Sequence, residues 1–346
     1  MTDNTQVLSV EERGELRELL CLLGSAVQRQ VNDQRAGIGT DELSKVSTIF
    51  ESDTIYAIDR ISEEALLNWF EENWPSGFPV EIVAEGLEDK APVIFPRGTR
   101  VQNTIYKVII DPIDGTRELM YDKRSAWVLA GASPQRFEEN CISDIEVAMM
   151  TELPISKQHV ADQVSGYLGC KREGIVATRH DLATGESSPF ELRPSSSKNV
   201  DHGVAGFVKF FPEAKDLISR FETDLWTRLG LYGRYKSPLV FDDQYISTGG
   251  QMYGVLVGHY RLYGDIRPEA LKTLGLGNSL TCHPYDLAAG LLLREAGCVY
   301  QSPWGGELKA PIDTISPVSW VAYANQDMAA LIHPVVQAMM EEYFAK

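Results

Sequence analysis

Cysteine is scarce and scattered in this chain. Five occur in 346 residues (Cys21, Cys141, Cys170, Cys282 and Cys298), with neither CxxC spacing nor an even count. That pattern excludes a disulfide frame and a cysteine zinc site, and is expected of reduced thiols in a cytoplasmic protein. Long apolar runs are lacking too. None approaches the roughly 18 residues that a membrane span needs. The opening Met1-Thr2-Asp3-Asn4-Thr5 has neither the basic region nor the apolar stretch of a signal peptide. Positive charge is in deficit: 32 Lys and Arg stand against 49 Asp and Glu, a net charge of −17. Such a field repels polyanions, so nucleic acid and anionic membranes are not expected as partners. A small phosphorylated substrate stays admissible, because bound metal ions invert the local field. There is no internal repeat, and the 44% hydrophobic and 23% charged content is that of a globular protein.

The pattern that remains is mixed. Ser9 and Glu12 form an S-x-x-E capping box, followed by Leu16, Leu19, Leu20, Leu23 and Val27 at helical spacing. A second helix is expected over 63–73, closed by Pro75. Strands are expected over 79–84, 106–110, 125–132 and 145–150. Signals weaken over 154–199, where Gly, Ser and Pro cluster, which fits a boundary between halves or a long hairpin insertion. A helix over 213–228, the glycine-rich Thr248-Gly249-Gly250, a strand over 253–257 and a helix over 286–295 follow. A last helix is interrupted at Pro334. Without regular βαβ alternation the order favours a layered α/β or α+β fold over a Rossmann sheet. Two halves are expected, 1–199 and 200–346.

Chemistry concentrates in Val108-Ile109-Ile110-Asp111-Pro112-Ile113-Asp114-Gly115-Thr116. An apolar strand ends at a proline, and two carboxylates leave together. They repel unless a cation sits between them, and hard divalent ions with oxygen ligands suit that place. The Ile113 carbonyl is a further oxygen, and the Gly115 and Thr116 amides suit a phosphate. Haloacid-dehalogenase phosphatases carry DxDGT after a strand, with the acids two residues apart. Here they are three apart around a proline, so no covalent aspartyl phosphate is implied. His283 beside Cys282 lacks a partner pair and reads as structural.

The motif resembles the D-P-I-D-G-T of the inositol monophosphatase superfamily, the lithium-sensitive, magnesium-dependent phosphatases that include fructose-1,6-bisphosphatase. Ala84-Glu85-Gly86 is similar to its upstream acidic motif, Tyr285-Asp286-Leu287-Ala288-Ala289-Gly290 to its W-D helix, and Glu295-Ala296-Gly297-Cys298 to that helix's end. Asp59 and Thr248-Gly249-Gly250 fall at further family positions, so the likeness runs from about Leu16 to Gly297 in order. Gly86, Tyr285 and Cys298 depart from the family pattern. So does the charged stretch 117–124, which replaces T-N-F where substrate selectivity is set.

The resemblance implies an αβαβα sandwich with its site between two halves. It implies two magnesium ions held by Glu85, Asp111, the Ile113 carbonyl, Asp114 and Asp286, with Asp59 helping to hold a third. Glu85, with Thr116 relaying through its hydroxyl, would orient and deprotonate the attacking water, while the Gly115 and Thr116 amides hold the phosphate oxygens. Asp265 falls near the family's hydroxyl-binding carboxylate. Arg117, Lys123 and Arg124 either meet a second anionic group or form a solvated loop. The implied activity is hydrolysis of an inositol phosphate or related sugar phosphate, inhibited by lithium. Alternatives are fructose 1,6-bisphosphate or 3′-phosphoadenosine 5′-phosphate as substrate, or a non-catalytic sugar-phosphate binder. A homodimer is expected by analogy alone.

Overall fold

The computed structural model describes residues 7–39, 43, 46–49, 54–87, 92–233, 237–277 and 280–345. The first helix, α1 (Val10–Arg35), starts where the capping box requires. Ser9 Oγ accepts the Glu12 amide at 3.2 Å and the Glu12 carboxylate accepts the Ser9 amide at 2.8 Å. Strands β1 (Val46–Ile49) and β2 (Thr54–Tyr56) pair before α2 (Ala57–Asn73), which is six residues longer at its start than the apolar stripe alone suggests. An eight-stranded sheet follows: β3 (Val80–Ala84), β4 (Val93–Phe95), β5 (Tyr106–Asp114), β6 (Ala126–Pro134), β7 (Val147–Leu153), β8 (Val160–Tyr167), β9 (Val176–Asp181) and β10 (Ser187–Pro189). Its spatial order is β10-β9-β8-β7-β6-β5-β3-β4, antiparallel except for the β3–β5 pair. The stretch of weak signals therefore holds three antiparallel strands, β8, β9 and β10, running as hairpins away from the centre, with irregular chain around them.

The second sheet has the order β12-β11-β13-β15-β14, from β11 (Gly203–Phe207), β12 (Val240–Phe241), β13 (Tyr260–Asp265), β14 (Val299–Gln301) and β15 (Trp320–Tyr323). Its helices are α4 (Lys215–Arg228), α5 (Thr248–Leu256), α6 (Arg267–Thr273), α7 (Leu291–Glu295) and α8 (Gln326–Phe344); the short α3 (Thr116–Met120) belongs to the first sheet.

Five layers result. On β5 the side chains alternate as strand geometry dictates. Val108 and Ile110 pack towards α1 and α2, with Leu16, Leu20 and Phe70. Ile109 packs the other way, into a central layer where Val255 of α5 and Leu292 of α7 meet Leu129 of the first sheet and Tyr263 and Trp320 of the second. The far face of the second sheet is covered by α4, α6 and α8, through residues such as Phe207, Phe221 and Ile332. This is the αβαβα sandwich expected, and its central layer is where both sheets can send side chains to one place.

Three expectations change in detail. The strand expected over 253–257 is the end of helix α5. Ser247 caps it by accepting the Gly250 amide at 2.8 Å, and Met252, Val255 and Leu256 are buried at helical spacing. A short apolar run does not by itself separate the two structures. The helix expected over 286–295 is regular only from Leu291; before it lies a tight 3-10 turn, Tyr285–Leu287. The final helix runs as one element through Pro334.

Candidate functional site

Two carboxylates three residues apart on a regular strand point to opposite faces of the sheet. Asp111 and Asp114 do not, because β5 is irregular there: Asp111 pairs with Leu129 and Asp114 with Trp127, so three steps on β5 match two on β6. The extra residue is a bulge, a place that tolerates the missing amide of Pro112 and turns the second carboxylate to the face of the first. The chain then turns at Gly115, whose φ is +98°. A Cβ there would sit 2.8 Å from that of Ser247, so glycine is required by both conformation and space.

Asp286 arrives from the 3-10 turn on the other side, its Oδ2 accepting the His283 amide at 2.6 Å. One oxygen each from Asp111, Asp114 and Asp286 all lie within 4.8 Å of one another. Glu85 follows β3, whose parallel register sets Ala84 beside Ile110, and it is hydrogen-bonded to Asp111. The Ile113 carbonyl faces the Thr116 hydroxyl at 2.9 Å, and that hydroxyl lies 2.8 Å from Asp59 Oδ1. Thus α2 supplies a buried carboxylate directly to Thr116. One cavity is lined by Glu85, Asp111, Ile113, Asp114, Gly115, Thr116, Arg117 and Asp286.

Asp111 and Asp114 are almost wholly buried, and among the described residues neither forms an ion pair. Burial, then the charges of Asp114 and Asp286, push the Asp111 carboxyl well above the usual carboxylate range. Burial pushes Asp114 up to about 6, although Ser247, Gly249 and Thr248 all donate to it. Ser247 Oγ is 2.7 Å from Oδ2 and the Thr248 amide 3.0 Å from Oδ1, so Asp114 is seated on the first turn of α5. Gly249 permits that approach, since a Cβ would come within 2.8 Å of the carboxylate. A cluster this costly to ionise and built only of oxygen donors fits a hard divalent cation.

Other candidates are placed differently. Asp265 is fully buried, and both its oxygens are taken by Arg267 at 2.6–3.0 Å. Of the charged stretch 117–124, only Arg117 lines the cavity. Arg124 grips Asp243 with two bonds of 2.8 and 3.0 Å and covers the Tyr245 ring, and Lys123 pairs with buried Glu118. His283 is buried against Tyr285. The sequence reading passes over Phe210, Phe211, Ser247 and Arg267, which all line the cavity. The adjacent aromatics Phe210 and Phe211, shortly after β11, are a local signal; Arg267 carries none.

The fold is that of the inositol monophosphatase and fructose-1,6-bisphosphatase structures. The chain superposes on the fructose-1,6-bisphosphatase of Leishmania major with a TM-score of 0.63 and 15% identity, over 95% of this chain and 96% of that one. For the inositol monophosphatase of Anabaena the values are 0.57 and 16%, over 95% and 96%. For the extragenic suppressor protein SuhB of Bartonella henselae they are 0.60 and 14%, over 93% and 98%. No protein-family model and no curated protein matches the sequence.

Proposed function

We propose that this protein is a magnesium-dependent phosphoric monoester hydrolase acting on an inositol phosphate or a related sugar phosphate. The observation that carries the reading is the convergence of Asp111, Asp114 and Asp286 within 4.8 Å in a cavity also lined by Glu85 and Thr116. Glu85, Asp111, the Ile113 carbonyl, Asp114 and Asp286 would hold the magnesium ions, which supply Lewis acidity at the phosphoryl group and an acidified water.

The chain's own residues do the rest. Asp59 accepts the Thr116 hydroxyl proton, which leaves the Thr116 oxygen to accept from the attacking water. As that water attacks phosphorus, its proton passes to Thr116 and the Thr116 proton to Asp59, a short relay within hydrogen-bond reach. Gly115 and Thr116, at the start of α3, present amides to the non-bridging oxygens. Ser247 and Thr248 hold Asp114 still, so its geometry is set before substrate arrives.

A phosphate-release screen over a panel of sugar and polyol phosphates tests this. Release is expected with magnesium and is lost with a chelator. Thermal stabilisation by these esters without release would instead identify a sugar-phosphate binder.

A further inference from the structure

The cavity's remaining wall is built from unlike chemistry. Arg267 Cζ stands 4.8 Å from the Phe210 ring centroid and 5.7 Å from that of Phe211, and Arg117 Cζ is 5.6 Å from Phe211. Two guanidinium groups therefore share one aromatic ring at a wall of a cavity whose other wall is carboxylate. Arg267 is held rigidly. Its Nε and Nη2 donate to Asp265, its Nη1 donates to the Leu280 carbonyl, and its side chain is 8% exposed. Asp265, at 0% exposure, does not reach the cavity, whereas Arg267 lines it. What a ligand meets from this pair is the cation. Three of the five guanidinium N–H groups are used in those bonds, so two remain to donate.

We infer that Arg267, clamped by Asp265, is the specificity-determining group of the site and selects phosphate esters that bear a second anionic group, a phosphate or a carboxylate. The inference rests on the phosphatase reading above and deepens it. A fixed, dehydrated guanidinium forms charge-assisted bonds about twice as strong as neutral ones. It gains less from a neutral hydroxyl than from an anion, because only the anion adds charge attraction to the bond, and a substrate that fails to meet it leaves buried donors without an acceptor. Asp265 acts through Arg267: it is a positioning residue and does not itself bind substrate hydroxyls. Arg117, on the other side of Phe211, adds charge at the same wall.

Two matched pairs of esters isolate the effect: fructose 1,6-bisphosphate against fructose 1-phosphate, and 3-phosphoglycerate against glycerol 3-phosphate. Within a pair the reacting group is shared and only the remote anion differs. With magnesium fixed, the wild-type protein is expected to show a KM at least about tenfold lower for the doubly anionic member of one pair. The pair that shows it separates phosphate from carboxylate. Arg267→Gln should erase that difference by raising KM for the doubly anionic ester, with kcat held within about twofold, and Arg267→Lys should restore part of it. Asp265→Asn should move KM in the same direction by less. Because either single change leaves a buried partner, the double variant Asp265→Asn/Arg267→Gln, which keeps shape and removes both charges, guards against simple unfolding. Equal KM values within both pairs in the wild type would overturn the inference and leave the phosphatase intact. So would a fall in kcat on all four esters in Arg267→Gln, which would put the guanidinium on the reacting phosphate. No release from any of the four by the wild type would overturn this inference, and no release from the wider panel of sugar and polyol phosphates either would sink the phosphatase reading with it.

Discussion

Around Lys209 two carboxylates close on an ammonium that the chain itself supplies, whereas around Asp111 three carboxylates converge and neither Asp111 nor Asp114 has such a partner among the described residues. Lys209 Nζ lies 2.7 Å from both Glu222 Oε2 and Asp242 Oδ2, and Glu222 also accepts the Phe207 amide at 2.8 Å. That cluster is complete and anchors the end of β11, from which Phe210 and Phe211 reach the cavity. The cluster on β5 is held as firmly, by the bulge, Gly115 and the first turn of α5, yet its charges repel. One region spends its electrostatics on the fold; the other stores a repulsion that a bound cation, or at lower pH a proton, relieves. The difference predicts opposite responses to the same kind of mutation.

The largest effect belongs to Asp111. Asp111→Asn should lower phosphate release by about 10³-fold or more, the scale of losing an electrostatic group at a transition state. It should leave the far-ultraviolet circular dichroism unchanged and abolish the thermal stabilisation that magnesium gives the wild type. Undiminished turnover would remove Asp111 from the site. Lys209→Met should do the reverse. Deleting the cation strands a mostly buried Glu222, at a cost of about 3 kcal/mol, read as a lower denaturant midpoint, and the magnesium response should persist. An unchanged midpoint would show that Glu222 and Asp242 do not depend on the lysine, and the contrast would fail.

The pH dependence sharpens the same comparison. Asp114, pushed up to about 6, binds a proton in the folded chain at pH values where the unfolded chain, with a carboxyl near 3.9, has lost it. Stability from this site therefore falls as pH rises from about 4 to about 6 and stays low above that. Asp111→Asn removes one repelling charge. In chelator its melting temperature should exceed that of the wild type at pH 7, and the gap should shrink as the pH approaches 4. A gap that is constant with pH would mean that the carboxylates do not strain the fold.

Much of this was open to reading in the chain, for local reasons. Ser9 and Glu12 cap α1 with contacts three residues apart, and the alternation of Val108, Ile109 and Ile110 is a property of one strand. The Asp111-to-Thr116 motif carries its own bulge and turn in Pro112 and Gly115. What escapes is tertiary. The glycines at 249, 250 and 254 let α5 press against Asp114, Tyr245 and Tyr260, and no neighbouring residue announces that they serve a helix. Asp265 is an acid in a plausible place, but Arg267 two residues later covers it, and the spacing alone does not say which of the two faces the cavity. Lys123 and Arg124 are charged, yet they are committed to Glu118 and Asp243, partners 5 and 119 residues away.

The smallest expected effect tests the residue at which support of the fold and strain at the site meet. Ser247 Oγ both accepts the Gly250 amide and donates to Asp114, so it is a helix cap and a brace for the carboxylate at once. As a cap alone, Ser247→Ala should cost about 1 kcal/mol, and a melting point lower by about 1–2 °C would read it. As a brace it should do more, because removing a donor to the ionised form raises the Asp114 carboxyl further. The variant should then need more magnesium at pH 6 than the wild type, with the two drawing together as the pH rises further above the Asp114 value. A melting loss without that shift in magnesium demand would make Ser247 a helix cap only, and the rigidity of Asp114 would have to come from the Thr248 and Gly249 amides alone.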